Sequence, residues 1–472
     1  MSYYMAFFGS IFGWSEPVLH IAFFLPAILL ILGTYRLATF FSAQPLDAAL
    51  ITLFTPVVLI SSTTLMCDIL MLCFWVWGTY YWITGIRTRN FKQLSIAALL
   101  IACSALTKYF GMNLILLLIV WTIAERKRFE TSIFFLIIPA IILALYHWYT
   151  TMLYGKGLLL DAVTYVSAWN PVIDKSSFTN LLIGIAFTGG CFFTILFFTH
   201  RFFNKMTWIL NAIFGVIFLL TVLNLNSIGA AKISANGEIR WSYILQFSVC
   251  AIIGFNILIL TIRDYYQHRD SLSLFLLLWI AGTFIFGVII NWSINGRTLL
   301  PMAPALGILI ARERASKNKS ATRFVPFILS GIMSLVVTYT DYSFANTVRE
   351  DVSTIVGRYQ FSSSSIQFQG HWGFQYYMES LGYKALDIKH PSVSKGDIIT
   401  YPMNNTNLFR LPEPATEFVD SLTTHSHTWI TCMNLRAGAG FYSDSFGPLP
   451  FVVGAIPSER YNIHIVRAAS LP

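Results

Sequence analysis

Three charged residues sit at the ends of apolar runs, where a bilayer-spanning sequence makes them costly. Asp68 opens DILMLCFWVWGTYYW, Lys108 closes FKQLSIAALLIACSALTK, and Arg297 lies in NWSINGRTLLPMAPALGILIARER. Charges in such positions raise a functional question by default. A carboxylate there can hold a divalent metal ion or orient a polar substrate, and it can also simply cap the first free N–H groups of a helix. Lysine offers phosphate a compact point charge, the plain alternative being a snorkelling side chain. Arginine can grip a phosphate or pyrophosphate in bidentate fashion, or anchor its helix at head-group level. His371 and Trp372 belong to GHWGFQYY. Aromatics interleaved with polar groups can stack on sugar rings, although the same pattern more often packs a helix onto a core. His425 and His427 read as solvated loop residues without a third metal ligand. There is no glycine-rich phosphate loop, no Ser/His/Asp set and no Cys/His zinc spacing. Five cysteines lie in or beside apolar runs and Cys432 is alone in the tail, so the tail has no internal disulfide.

The elements that must position these groups follow from composition. Of 472 residues, 56% are hydrophobic and 11% charged, with a mean hydropathy of +0.64. A soluble fold of this size could not bury that much apolar surface, so the chain is an integral membrane protein. The first sixteen residues, MSYYMAFFGSIFGWSE, lack the basic and cleavage regions of a secretory signal peptide. Runs able to cross a bilayer cover about 18–36, 46–64, 69–84, 92–108, 112–124, 131–149, 178–198, 206–225, 242–262, 271–290, 298–311 and 324–341. The expected fold is mainly α: a polytopic bundle of about twelve segments over residues 1–341, then a small C-terminal α/β domain over 342–472.

Charge sets the orientation. Basic connections holding Arg36; Arg87, Arg89 and Lys92; Arg126, Lys127 and Arg128; Arg201 and Lys205; Arg263 and Arg269; and Arg312, Arg314, Lys317, Lys319 and Arg323 alternate with poorly basic ones. The positive-inside rule makes the basic set cytoplasmic, so that Asp68, Lys108, Arg297 and the tail face outward. Lys156, Lys175, Lys232 and Arg240 then fall on that outer side too. Two outer connections are long: 150–177, whose amphipathic middle predicts a helix on the membrane surface, and 226–241, rich in glycine and polar residues. In the tail, ANTVREDVSTIVGRYQ and WGFQYYMESLGY predict helices. SSIQFQG, KALDI and GDIITYP predict strands, and the later segment, with its polar turns and Gly438, Gly440, Gly447, Pro448 and Pro450, reads as loop-rich.

TTLMCDILMLCFWVWGTYYW, then ALTKYFG, then GRTLLPMAPAL, with a late tail, resembles the polytopic GT-C glycosyltransferases, and within them glycosyltransferase family 39. That family includes protein O-mannosyltransferases and bacterial aminoarabinose transferases. The resemblance covers roughly the first 310 residues as ordered landmarks. GHWGFQYYMESLG and FYSDSFGPLPF in the tail look like those of bacterial members. It implies transfer of a sugar from a polyprenyl-phosphate donor to a glycan, lipid or protein acceptor on the outer face of the cytoplasmic membrane. Lys108 and Arg297 then match the donor phosphate's cations. Asp68 matches the family's inner acidic position near the phosphate or a divalent metal, the one candidate cofactor. His371 and Trp372 are the weaker candidates for the sugar or acceptor. Family members begin with one more helix and an outer loop carrying an acidic base. Here the only acid before the first run is Glu16, in a different context, which leads to the expectation of weak or absent transfer unless Glu16 serves. Two other classes compete: a transporter or flippase for lipid-linked sugars, which often shows paired halves not seen here, and a non-catalytic relative of the transferases.

Overall fold

The computed structural model describes residues 1–161, 164, 177–199, 202–235, 238–316, 324–359, 365–387, 392–406, 408–425 and 428–467. Lys175, Arg201, Lys317, Lys319, Arg323, His427 and most of the surface helix expected within 150–177 lie outside them. Among the described residues, eight helices can cross a membrane by length and composition, or ten when each of two bent pairs counts as one crossing. The chain is therefore a multi-pass membrane protein.

Each of the twelve expected runs is helical. Run 46–64 is broken ahead of Pro56 into Pro45–Leu53 and Pro56–Thr63, bent by 63°, because proline cannot donate the hydrogen bond that would continue the first helix. Run 178–198 bends by 65° between Phe178–Cys191 and Phe193–Thr199. Runs 92–108 and 298–311 yield shorter helices of 17 and 15 residues, Phe91–Thr107 and Met302–Ser316. The second is buried almost throughout, from Met302 to Ala311. Helices at the bundle's rim instead turn Ile209, Ile213, Val216, Ile217 and Leu220 outward. An apolar outer face is the stable arrangement when the surroundings are lipid.

Four helices matter for the site: α1 (Glu16–Ala38), α2 (Cys67–Thr88), α3 (Phe91–Thr107) and α4 (Val325–Tyr359). Asp68 stands in the first turn of α2 and Arg87 in its last, about 30 Å apart at 1.5 Å rise per residue. At the Arg87 end the expected cytoplasmic cations are neutralised by acids: Arg87 by Glu125 at 3.0 Å, Arg263 by Glu313 at 2.8 Å, Arg312 by Asp264 and Asp270 at 3.2 and 2.8 Å, and Arg314 by Asp47 at 3.1 Å. The C-terminal domain sits at the Asp68 end.

The division expected at 341/342 falls inside α4, which runs on for 35 residues to Tyr359. No proline or glycine occurs between 332 and 356, so nothing stops the helix where the hydropathy drops. Beyond it lies a five-stranded sheet of β1 (Ile366–Phe368), β2 (Lys384–Ala385), β3 (Ile398–Pro402), β4 (Thr416–Thr424) and β5 (Glu459–Val466), in the order β2-β1-β3-β5-β4. β1 runs parallel to β2 and β3, while β5 pairs antiparallel with β3 (Tyr461 opposite Pro402) and with β4 (Tyr461 opposite Leu422). Helix α5 (Trp372–Ser380) packs Phe374 and Met378 against Phe368, Tyr461 and Ile463. The α/β architecture agrees with expectation. Strands β4 and β5 are not among the expected ones: in YNIHIV, Tyr461, Ile463 and Val466 are buried, and a bulge between Ile463 and His464 interrupts the simple alternation.

Candidate functional site

The three charges of the sequence meet. Asp68 is wholly buried, and its two carboxylate oxygens are taken by different cations: Lys108 Nζ donates to Oδ1 at 2.5 Å and Arg297 Nε to Oδ2 at 2.8 Å. The residue preceding the helix is Met66 and no side chain caps it, so the capping role for Asp68 is not the one found. Lys108 reaches the acid because α3 ends there. Its backbone is extended, and Tyr109–Met112 follows as one tight turn. Gly111 makes that turn possible, since a Cβ would come within 2.5 Å of the Ser104 backbone. Phe110 then buries against Trp75 of α2, with ring centroids 5.4 Å apart.

Arg297 is positioned by the C-terminal domain. Gly296 N–H donates to the Phe441 carbonyl at 2.8 Å, and a Cβ at 296 would strike the Phe441 ring at 2.5 Å. Asp444 Oδ1 accepts from Ser293 Oγ at 2.7 Å and Ile294 N–H at 3.1 Å, while Asp444 N–H returns a bond of 2.9 Å to the Ile294 carbonyl. The segment FYSDSFG is thus a clamp on the loop that carries the arginine. The loop reading of that segment carried no hint of this contact, because partner and clamp lie about 150 residues apart.

Beside the triad, between the bundle and the domain, lies a cavity of about 810 Å³. Its walls include Met66 ahead of α2, Leu19 and Phe24 of α1, Leu335 and Tyr339 of α4, and Tyr442. The triad residues do not line it, whereas Met66, two residues before Asp68, does. Three carboxylates also line it. Glu16 pairs with Arg349 at 2.6 Å and accepts from Tyr377 Oη at 3.3 Å. Asp341 of α4 accepts from Tyr442 Oη at 2.9 Å and from Cys432 Sγ at 2.9 Å. Glu459, at the start of β5, accepts from the N–H groups of Asn404 and Arg460, and burial pushes its carboxyl up to about 7.

His371 and Trp372 line the same cavity. His371 N–H donates to Asn405 Oδ1 at 2.8 Å, and its Nδ1 lies 2.9 Å from Gln375 Oε1. Trp372 holds φ at 61°, a region that costs a bulky residue free energy and tends to persist where the surroundings impose it. GHWGFQYY therefore divides its duties: Phe374 packs the core, while His371, Trp372, Tyr376 and Tyr377 face the cavity. Asp341 escaped notice in the sequence although it bears the signal that marked Asp68, an acid at the end of an apolar run.

A divalent ion does not fit at Asp68, since both oxygens already face cations that would repel it. Among the described residues no three His, Cys, Asp or Glu side chains gather as a metal cage.

Fold and site define a polytopic membrane protein with an acid held between two cations beneath an α/β domain. Residues 1–149, which carry Glu16, Asp68 and Lys108, match the sequence profile of the family described as dolichyl-phosphate-mannose-protein mannosyltransferase. Over that stretch the match agrees with the GT-C, family-39-like resemblance of the motifs. No curated protein matches the chain. Among solved structures, the apo oligosaccharyltransferase of Archaeoglobus fulgidus is similar at 13% identity and a TM-score of 0.43, over 84% of this chain and 57% of that one. The chain thus spans little more than half of that protein's length. ArnT of Cupriavidus metallidurans, solved with undecaprenyl phosphate, is similar at 12% identity and a TM-score of 0.37, over 85% of this chain and 82% of that one. Scores this low carry no weight for the role of any residue.

Proposed function

We propose that the protein is a membrane glycosyltransferase that moves a sugar from a polyprenyl-phosphate carrier to an acceptor held under the C-terminal domain. The observation that carries this reading is the convergence of Lys108 and Arg297 on one buried carboxylate, from parts of the chain 40 and 229 residues away. The cluster sums to one positive charge, which matches the single negative charge of a sugar phosphodiester. Lys108 and Arg297 spend one face on Asp68 and keep 23% and 29% of their side-chain surface exposed. Arg297 engages Asp68 through Nε, and its two Nη groups have no hydrogen-bond partner among the described residues. They are available for the bidentate grip that arginine gives phosphate. As the sugar leaves, the phosphate gains a second negative charge, and two preorganised cations stabilise that change most strongly where water is sparse.

Asp68 itself does not reach a substrate. It fixes the distance and direction of the cations, which makes it a positioning residue. The cavity takes the acceptor, and the aromatic faces of Trp372, Tyr376 and Tyr377 suit the apolar faces of a sugar or head group. Orientation by the positive-inside rule puts this end on the outside of the cytoplasmic membrane.

Undecaprenyl phosphate is the direct probe. Lys108→Ala and Arg297→Ala, each in a lipid nanodisc, should weaken its binding roughly 10- to 100-fold, the worth of a charge-assisted hydrogen bond. Unchanged affinity in both variants would remove the phosphate assignment. Translocation of a lipid-linked sugar without its release would favour a flippase instead.

A further inference from the structure

We propose that the cavity under the C-terminal domain is entered sideways from the outer leaflet and takes a membrane lipid, so that the acceptor it holds is lipid-borne. The lipid site stands on the cavity itself; naming its occupant as the acceptor rests on the transferase reading above.

Two membrane helices form one side of the cavity. Phe24 of α1 lies six residues inside the apolar run 18–36, and Leu335 of α4 lies six residues inside the run 324–341. At 1.5 Å rise per residue, each sits about 9 Å deeper than the outer end of its run. The floor of the cavity is therefore level with lipid chains on both helices. Phe24, Leu335 and Tyr339 line it while being 44, 59 and 62% exposed, so the cavity is not closed along these apolar lengths. Leu19, Phe24 and Leu335 offer no hydrogen bond at that depth, which suits a hydrocarbon chain and not a hydrated peptide.

The opposite end is polar. Glu16 of α1 and Arg349 of α4 pair there at 2.6 Å, and His371, Asn404, Asn405 and Glu459 come from the domain. Leu335 and Arg349 are about 21 Å apart along α4. An apolar floor and a polar roof match the two ends of an amphiphile. Among the described residues the wall carries three carboxylates, Glu16, Asp341 and Glu459, against one arginine, Arg349. That balance disfavours a bare phosphate head. It suits a head group rich in hydrogen-bond donors, an ammonium or several hydroxyls, packed on Trp372 and Tyr376. The lipid here is thus distinct from the donor, whose phosphate has its cations at Lys108 and Arg297. The two sites adjoin: Met66 on this wall precedes Asp68 by two residues, and Tyr442 follows Phe441, whose carbonyl holds Gly296.

The test uses the full chain in nanodiscs holding phosphatidylethanolamine, a monohexosyl diacylglycerol and phosphatidic acid. After a mild detergent wash, native mass spectrometry counts and identifies the lipid that stays. One ethanolamine or hexosyl lipid per protein should be retained, and which of the two stays separates an ammonium from hydroxyls. Leu335→Trp and Thr338→Trp, which fill the floor, should each cut that retention about tenfold or more, with undecaprenyl phosphate affinity held within about twofold as the sign of an intact fold. Ile332→Trp, exposed on the same helix but off the cavity wall, should retain lipid as the wild type does. In native membranes given a labelled polyprenyl-phosphate sugar, the label should pass to a second lipid, stable to the mild acid that cleaves the donor. Equal retention in all three tryptophan variants overturns the lipid site. So does phosphatidic acid or a polyprenyl phosphate as the lipid lost from the two filled variants. Label that passes to protein overturns the lipid-borne acceptor while sparing the transferase reading. Wild-type protein that releases no sugar defeats the transferase reading and the acceptor assignment with it, and the retained lipid alone then supports the site.

Discussion

Replacing Asp68 by asparagine removes the one negative charge around which two cations are built. The side chain is fully buried, and both oxygens are engaged, at 2.5 and 2.8 Å. Breaking a buried ion pair by deleting one partner costs about 3–5 kcal/mol, because the remaining charge is left unpaired. Here two charges are left, but each keeps about a quarter of its side-chain surface exposed and can turn partly to water. The loss should therefore fall toward the lower end, about 3 kcal/mol. The distinctive outcome concerns the double variant. In Asp68→Asn, Lys108 and Arg297 are like charges gathered at one amide, so adding Lys108→Met should return part of the lost stability instead of lowering it further. A double-mutant cycle followed by unfolding in detergent should give a coupling of about 1.5 kcal/mol or more. Simple additivity of the two losses, with turnover retained in Asp68→Asn, would refute the account of the triad as an electrostatic unit.

Asp444→Ala leaves the cations untouched but frees Ser293 and Ile294 from their shared acceptor; undecaprenyl phosphate affinity should drop severalfold, and a normal affinity would show that the clamp does not position Arg297. Glu459 has its carboxyl raised by burial to about 7 from an ordinary 4.5. Its contribution to stability is therefore fully present below about pH 4.5 and is lost as pH rises through about 7. Glu459→Gln should accordingly gain in melting temperature over the wild type between pH 5 and pH 8, and a constant difference across that range would show that Glu459 is not held protonated. Trp372→Gly should relieve a strained backbone position, since a residue without Cβ adopts positive φ freely, while removing a wall of the cavity, so transfer should fall without a loss of thermal stability; a destabilised protein would return Trp372 to a packing role.

Local chemistry determined much of this protein. Apolar runs and their aromatic ends dictate helices wherever the chain meets lipid, because backbone groups there must be satisfied within the segment. All twelve runs form helices, including those that proline breaks. Charge at the end of an apolar run is likewise a local fact, and it singled out Asp68, Lys108 and Arg297. Their meeting was not local. Lys108 points at Asp68 because Gly111 lets the chain turn back onto Ser104, and Arg297 does so because residues 441–444 pin its loop from a separate domain. The strands β4 and β5 likewise depend on partners far along the chain, Tyr461 pairing across to both Pro402 and Leu422. The cavity and the placement of Asp341 on its wall exist only once α4 has carried the domain over the bundle. Sequence determines which groups are expensive to bury. Tertiary structure decides which of them share one another's charge, since that energy depends on distances of a few ångströms that no spacing along the chain encodes.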